Sequence, residues 1–281
     1  MSQLISAVIL AFNEEKNLPD CLESLATVAS EIFVVDSGST DGTREIAARF
    51  GANLVEHPFS NYSAQRNWAI DNLPLAGDWV LHLDADERLT PELAREIGEE
   101  LPRVDAGVGG FLFRKRTVFL GRWIRHGGHY PSFHLRLLRK GKGRCEDRLY
   151  DQHFLVEGNV RAFRNDYLDV IASNLNVWTA RHLRWADLEA DEIELPPSSG
   201  ARVAARLGAG PVAKRRWLRE RAYLRGPLFV RAFAYFLYRY VVRLGFLDGT
   251  EGLIFHFLQG CWFRFLIDAK LFERRRAGSR Q

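Results

Sequence analysis

Two aspartates one residue apart, Asp84 and Asp86, stand directly after the run Trp79-Val80-Leu81-His82-Leu83. The run is short, mostly apolar and bounded by polar residues, which predicts a buried strand. In extended backbone, residues i and i+2 point to the same side, so the two carboxylates would meet just past a strand's carboxyl end. In an open parallel sheet that rim is where ligands bind. Close carboxylates repel unless a proton or a cation sits between them. A Mg²⁺ or Mn²⁺ carrying a diphosphate is the natural occupant, because such ions bind through one or two carboxylates plus substrate phosphates. An isolated Asp-x-Asp is more often a helix cap with a solvated neighbour; the upstream sequence argues for the metal.

The elements that must position this pair are legible upstream. Leu4 to Leu10 is a near-continuous apolar strand, followed by Ala11-Phe12-Asn13-Glu14-Glu15 and a helical pattern through Leu18, Leu22 and Leu25. A second strand, Ile32 to Val35, ends at Asp36 and runs into the turn-rich Ser37-Gly38-Ser39-Thr40-Asp41-Gly42-Thr43. A helix from about Arg44 to Phe50, a strand over Asn53–Glu56 and a helix from Tyr62 to Leu73 precede the strand before Asp84. Alternating strands and helices predict βαβ units and a mainly parallel sheet. Right-handed crossovers then put the loops at Asn13, at Asp36–Asp41 and at Asp84–Asp86 on one rim. Acidic and hydroxyl groups there suit a nucleotide whose phosphates arrive with a metal.

Four segments in order, Val8 to Glu15, Val34 to Thr43, Gln65-Arg66-Asn67 and Leu83 to Glu87, resemble the family 2 glycosyltransferases of GT-A fold, a Rossmann-like arrangement for nucleotide-diphospho-sugars. The resemblance covers roughly the first hundred residues. Within the family the chain is similar to the bacterial lipopolysaccharide-core and envelope-polysaccharide glucosyltransferases, and Gly245 to Gly252 supports this branch more weakly. The resemblance implies roles. Asp36 would hydrogen-bond the nucleotide base, with Ala11, Asn13 and Glu14 lining the same pocket. Ser37, Gly38 and Asp41 would shape the glycine-containing loop, and Arg66 would sit near the diphosphate. Asp84 would contact the ribose or the metal, and Asp86 would hold the metal. The plain alternatives are that Asn13 and Asp41 are cap and turn residues and that Arg66 is a solvated helix residue.

Composition agrees with an intracellular globular enzyme. The chain has 281 residues, enough for one large domain plus an appendage, and 47% of them are hydrophobic. Cys21, Cys145 and Cys261 are far apart with no C-x-x-C pair, which points to a reducing compartment and no zinc site. The first residues show no basic n-region or cleavage site, so no secretory signal is expected.

Beyond Glu100, Gly110 to Leu120 reads as one or two strands, and His134 to Arg139 as a strand with one solvated face. Arg125-His126-Gly127-Gly128-His129-Tyr130-Pro131 between them reads as a mobile acceptor-side loop, with metal ligation by the two histidines as the alternative. A second acidic cluster, Glu146-Asp147 to Asp151, lies where a catalytic base belongs, because glycosyl transfer needs a group to take the acceptor hydroxyl's proton. Related enzymes commonly carry a His-Glu pair in this region; here Gln152 stands where the Glu is expected. Asp147 and Asp151 become the candidates, with Glu146 behind them, against the alternative that these acids pair with Arg144 and Arg148 on the surface.

The last third differs. Leu195-Pro196-Pro197-Ser198-Ser199-Gly200 punctuates the chain after a helix rich in Trp, Arg and Glu, and Ala201 to Arg225 is crowded with basic residues. From Pro227 to Leu247 an aromatic run is interrupted by Arg231, Arg239 and Arg243, which on one helix fall within about 120° of each other. A spanning helix wants ~20 largely uncharged residues. A basic edge beside an apolar face predicts a helix lying in the membrane interface, its arginines on anionic headgroups and Phe229, Phe233, Phe236 and Tyr240 in the acyl boundary. The alternative is packing on the catalytic domain with snorkelling arginines. No nucleic-acid-binding signature accompanies the net charge of +4.

The expectation is therefore a catalytic domain over residues 1–195 and a basic, aromatic-rich attachment region over 196–281. The protein would be a metal-dependent inverting glycosyltransferase, cytoplasmic and peripheral on the inner face of the cytoplasmic membrane. It would pass a sugar from a nucleotide-diphosphate donor to a saccharide acceptor, lipid-linked, in envelope polysaccharide or lipopolysaccharide synthesis. Two alternatives are a nucleotidyltransferase, disfavoured by the acidic Asn13-Glu14-Glu15, and a membrane-bound adaptor with a relict nucleotide pocket.

Overall fold

The structure is a computed structural model and describes residues 4–171, 174–195, 200–206 and 210–278; Pro196 to Ser199 thus lie outside the described residues. The chain divides into two compact units. The first takes the described parts of Met1–Thr117, Ser132–Asp147 and Gln152–Ala172, the second those of Val118–Pro131, Arg148–Asp151 and Ser173–Gln281.

The first unit opens β1 (Ile5–Ala11), α1 (Leu18–Leu25), β2 (Glu31–Asp36), α2 (Thr43–Arg49), β3 (Asn53–Glu56), α3 (Tyr62–Asn72) and β4 (Trp79–Asp84). There follow β5 (Glu87–Leu89), α4 (Pro91–Glu100), β6 (Val108–Phe119), β8 (Ser132–Arg139), β9 (Gly143–Cys145), β10 (Phe154–Val156) and β11 (Asn159–Ile171), with β7 (Arg122–Trp123) in the second unit. Among the described residues the main sheet runs β3-β2-β1-β4-β8-β6-β11-β5, while β9 and β10 form a separate hairpin. The strands β3, β2, β1 and β4 are parallel, as the alternation predicts. From β8 onward the pairing turns antiparallel, to β4 and to β6, so the sheet as a whole is mixed rather than mainly parallel. The cause is the chain itself: no helix lies between β6 and β11, and parallel neighbours need a crossover connection.

Strand alternation sorts the core. Ile5, Ala7, Ile9 and Ala11 face α1 and α4, meeting Leu18, Leu22, Leu25, Leu93 and Ile97. Val8, Phe33, Val35 and Val80 face the other way, onto Ala69 of α3 and Leu73 at its end. Helix starts are set locally: the Asn61 side chain accepts from Ala64 N at 2.8 Å and Thr90 from Leu93 N at 3.2 Å, each satisfying an otherwise orphaned donor. The register pairs Ala11 with Asp36 and Leu10 with Asp84, which brings three strand ends to one rim.

The second unit holds α5 (Leu175–Glu194), α6 (Pro211–Leu218), α7 (Val230–Leu237), α8 (Gly249–Phe257) and α9 (Phe263–Gly278). Ala186 and Ala190 of α5 pack on Phe263, Ile267 and Leu271 of α9, one helical stripe on another. The expected helix over Pro227–Leu247 is shorter. It begins at Val230, widens into a π turn over Tyr238–Val242, and stops where Leu244 takes the left-handed conformation, φ 59°. Gly245 follows because a Cβ there would lie 2.7 Å from the His256 ring. Among the described residues no helix is long and apolar enough to cross a membrane.

Candidate active site

The loops after β1 and β2 are laced together. Asn13 N donates to Ser39 Oγ at 2.9 Å, and Thr40 N donates to Asn13 Oδ1 at 2.8 Å. Glu14 N donates to Thr43 Oγ1 at 2.8 Å, Glu15 N to Asp41 Oδ2 at 3.2 Å, and Gly42 N to Glu15 Oε2 at 3.1 Å. Ser37 N donates to the Ala11 carbonyl at 3.0 Å, and Gln65 of α3 reaches Ser37 Oγ at 3.2 Å. Gly38 sits at φ +89°, a conformation L side chains rarely adopt.

Asp36 is fully buried and accepts from Gly38 N at 3.1 Å, Ser39 N at 3.0 Å, Arg44 Nε at 3.0 Å and the Ser39 hydroxyl. Burial works to raise its pKa, but these donors together hold it below the usual carboxylate value. Asp41 is likewise lowered: burial opposes, and bonds from Thr43 and the Glu15 amide prevail. Ala11, Asn13, Glu14, Asp36, Ser37, Gly38 and Asp41 are thus brought together, with Gly38 and Ser39 closing over the Asp36 carboxylate.

The carboxylate pair forms the other side of the rim. Arg66 is buried, not a solvated helix residue, and donates from Nη2 to both oxygens of Asp84, at 2.8 and 3.1 Å. Arg136 of β8 donates to Asp84 Oδ2 at 3.1 Å and also pairs with Glu87, whose Oε2 accepts from Asp84 N at 3.0 Å. The strand His134–Arg139 therefore has no solvated face at Arg136, which is 6% exposed. A polar residue in an alternating strand turned inward because two carboxylates await it there. Arg136 and Glu87 are the members that the sequence left without a role; the signal was a lone arginine between leucines in β8.

Burial works to raise the Asp84 pKa, and Arg66 and Arg136 overcome it to hold the group ionised. Asp86 is driven the other way, by burial first and then by Asp169, Asp84, Glu14 and Glu87. Asp169 is tied to Lys115 at 2.8 Å and to Thr117 Oγ1 at 3.1 Å. Negative charge thus converges on Asp86, and a divalent cation would relieve it. Among the described residues no three His, Cys, Asp or Glu side chains form a closed metal cage, and a Mg²⁺-type ion held by one or two carboxylates plus substrate phosphates needs none. The donor set fits such an ion. Beneath the pair, His82 is buried against Phe154 and held neutral, its pKa pushed down to about 3 by burial and then by Arg66 and Arg136.

Among the candidate bases, Glu146 is fully buried, and its Oε1 accepts from His153 N at 2.7 Å and lies 3.3 Å from His153 Nδ1. A Glu-His pair is therefore present, formed across seven residues. Asp147 is exposed in the same unit. Asp151 belongs to the second unit, at φ 55°, its carboxylate 3.6 Å from Arg215. Arg144 and Arg148 engage Asp71 at 2.8 Å and Glu192 at 3.4 Å.

A family description, Glycosyl transferase family 2, matches residues 6–171, which contain every rim residue above. The chain belongs to glycosyl transferase family 2. Within that family the chain is similar to bacterial lipopolysaccharide and polysaccharide transferases. The lipopolysaccharide core biosynthesis glycosyltransferase LpsC of Rhizobium meliloti is 34% identical over 162 residues, 56% of this chain and 58% of that protein. The succinoglycan biosynthesis protein ExoA of the same organism is 27% identical over 156 residues, 43% of this chain and 47% of ExoA. The chain thus spans about half the length of these relatives. Glucosyl-3-phosphoglycerate synthase from Mycobacterium tuberculosis, solved with Mn²⁺ and uridine diphosphate, is 24% identical with a TM-score of 0.34, over 41% of this chain and 44% of that one.

The second unit departs from expectation at its arginines. Arg231 is 7% exposed and donates from Nε to both oxygens of Asp268, at 2.8 and 3.1 Å. Arg239 is 6% exposed and donates to the Gly127 carbonyl at 3.0 Å. Neither forms a headgroup-facing edge; each lies under the helix because a carboxylate or a carbonyl binds it there. Only Arg243 of the three is exposed. The His126–His129 loop has fixed contacts in the second unit: His126 bonds Asp248 at 2.6 Å, Gly127 N donates to the Arg243 carbonyl at 2.9 Å, and a Cβ at Gly127 would enter the His256 ring.

Proposed function

We propose that this family 2 glycosyltransferase moves one sugar, with inversion, from a nucleotide-diphosphate donor to a saccharide acceptor, lipid-linked, in synthesis of bacterial lipopolysaccharide or envelope polysaccharide. Residues 1–195 are the catalytic part and residues 196–281 the attachment to the inner face of the cytoplasmic membrane. The observation that carries the reading is the rim itself. Asp84 ends β4 beside Arg66 and Arg136, and Asp86 follows in the turn before β5, on the rim that also carries the laced loops of Asn13 and Asp36.

In this reading Asp36, with Ala11, Asn13, Glu14, Ser37, Gly38 and Asp41, receives the nucleoside, Asp36 exchanging one of its loop donors for the base. Asp84 and Asp86 would hold Mg²⁺ or Mn²⁺, which when bound would offset the charge of the leaving diphosphate. Arg66 orients the same diphosphate. The acceptor oxygen bonds the anomeric carbon as the carbon–oxygen bond to the diphosphate breaks, and its proton passes to Asp147 or Asp151. Glu146, sealed against His153, fixes the backbone that presents Asp147. A panel of nucleotide-sugars titrated with and without Mn²⁺ tests the proposal. Saturable, metal-dependent binding of one donor followed by transfer to a saccharide is expected; binding of no nucleotide-sugar would sink it. Asp147→Asn and Asp151→Asn should separate, one losing ~10²-fold or more in transfer with donor affinity unchanged. Full rates in both would place the base elsewhere.

A further inference from the structure

One helix of the second unit is turned inside out. On α7 and the turn that extends it, Val230, Phe233, Leu237 and Val241 recur at spacings of three and four and are 61%, 52%, 56% and 53% exposed. That is one helical face, and it is the face soluble proteins bury. Arg231 and Arg239 lie opposite, closed against Asp268 and the Gly127 carbonyl. The apolar surface continues across neighbouring elements. Phe265 of α9 lies 6.0 Å from Phe233, Phe257 of α8 lies 5.9 Å from Phe236, and Phe246 lies 6.3 Å from Tyr240, ring to ring. Phe265, Phe257, Phe246 and Leu247 are all exposed. Among the described residues from Pro227 to Phe272, Arg243 is the one exposed charged side chain. The others are turned inward or half-buried, as with Asp248 on His126 and Arg264 on Glu189.

We infer that this face, not an arginine edge, is what meets the bilayer. The chain lies in the plane of the interface with the Val230–Val241 row in the acyl boundary. The occupant is lipid because of where the charge sits. Exposed Arg221 and Arg225 precede the row and exposed Arg243 follows it. The apolar stretch between is about 18 Å long at 1.5 Å per residue. That matches a helix lying flat with its cationic ends at headgroup level. A protein partner would instead meet a polar rim with hydrogen-bonding groups around its apolar centre. Attachment is then mainly apolar and resists salt. This rests on the membrane reading above and deepens it by naming the surface and the force.

The test floats the full chain with phosphatidylcholine vesicles, with and without phosphatidylglycerol, at low and high salt. Binding to the zwitterionic vesicles that survives high salt is expected. Phe233→Asn, Leu237→Asn and Val241→Asn together should lower partitioning by ~10²-fold. Arg225→Gln or Arg243→Gln should lower it by about fivefold and only with the anionic lipid. Val242, 67% exposed, gives a check that misfolding cannot mimic: Val242→Trp should strengthen binding several-fold. Binding that salt abolishes overturns the inference. So does a triple variant that binds like the wild type, although the membrane reading then stands. A wild-type chain that floats with no vesicle overturns the membrane reading itself. A stable dimer in solution that the triple variant dissociates assigns the face to a second copy and overturns the lipid.

Discussion

Arg66 in the first unit and Arg231 in the helical unit are equally buried, each 7% exposed, and each grips both oxygens of an aspartate. Their partners differ. The Asp84 side chain is 30% exposed and ends a strand at the rim, where a ligand can compete for the arginine. The Asp268 side chain is 1% exposed and closed to any competitor. The same ion pair is thus recruitable in one unit and architectural in the other. What separates them is not the arginine but whether its carboxylate can still see solvent.

The comparison is broken most sharply at the rim. Asp86→Asn should lower turnover by ~10³-fold or more, since a charge aimed at the reacting diphosphate is lost in a partly desolvated site. Circular dichroism should be unchanged. Wild-type turnover in that variant would remove the metal role from the pair.

At the closed pair the loss should fall on stability instead. Arg231→Met leaves Asp268 buried without its partner and should cost ~3–5 kcal/mol in urea unfolding. Arg231→Met combined with Asp268→Leu should recover most of it. If Arg66→Met destabilises as much as Arg231→Met, the distinction between the two pairs fails.

Acid should weaken the helical unit. His182 and His256 are buried, and burial pushes each pKa down to about 4. Around His182 the Trp178 carbonyl opposes the shift while Arg181 and Arg264 add to it; around His256, Arg239 and His126 add to it and Asp248 opposes. Each group's folded pKa lies below its unfolded value of about 6.5, so the unfolded chain takes up the proton first. The stabilisation is present above pH 6.5 and is lost as pH falls towards 4, at up to ~1 kcal/mol per pH unit per histidine. Thermal melts across that window should show the slope, and His256→Phe should flatten it; a pH-independent midpoint would contradict it.

The smallest effect is expected where a pair is open on both sides. Arg144 and Asp71 meet at 2.8 Å with side chains 58% and 47% exposed. Arg144→Ala should change stability by less than ~1 kcal/mol, and salt should erase the difference.

The first unit was largely readable from sequence. The strands ending at Ala11, Asp36 and Asp84 announce themselves by apolar runs, and a parallel crossover leaves one rim on which their loops can meet. Arg136 was not readable. Its alternating strand looked solvated, because nothing local reveals that β8 inserts beside β4 and delivers the guanidinium to Asp84 and Glu87. Nor was the pairing of Glu146 with His153 visible, since it depends on β9 and β10 folding back on each other.

In the helical half the sequence determined composition and the structure determined direction. Arginines spaced through aromatic residues fit two helices that differ by half a turn of rotation, one with its cations outward and one with them inward. Periodicity is identical for both. The choice was made by Asp268, thirty-seven residues after Arg231, and by the Gly127 carbonyl, 112 residues before Arg239. A buried guanidinium is tolerated only where such acceptors converge, and convergence over those separations belongs to the tertiary fold.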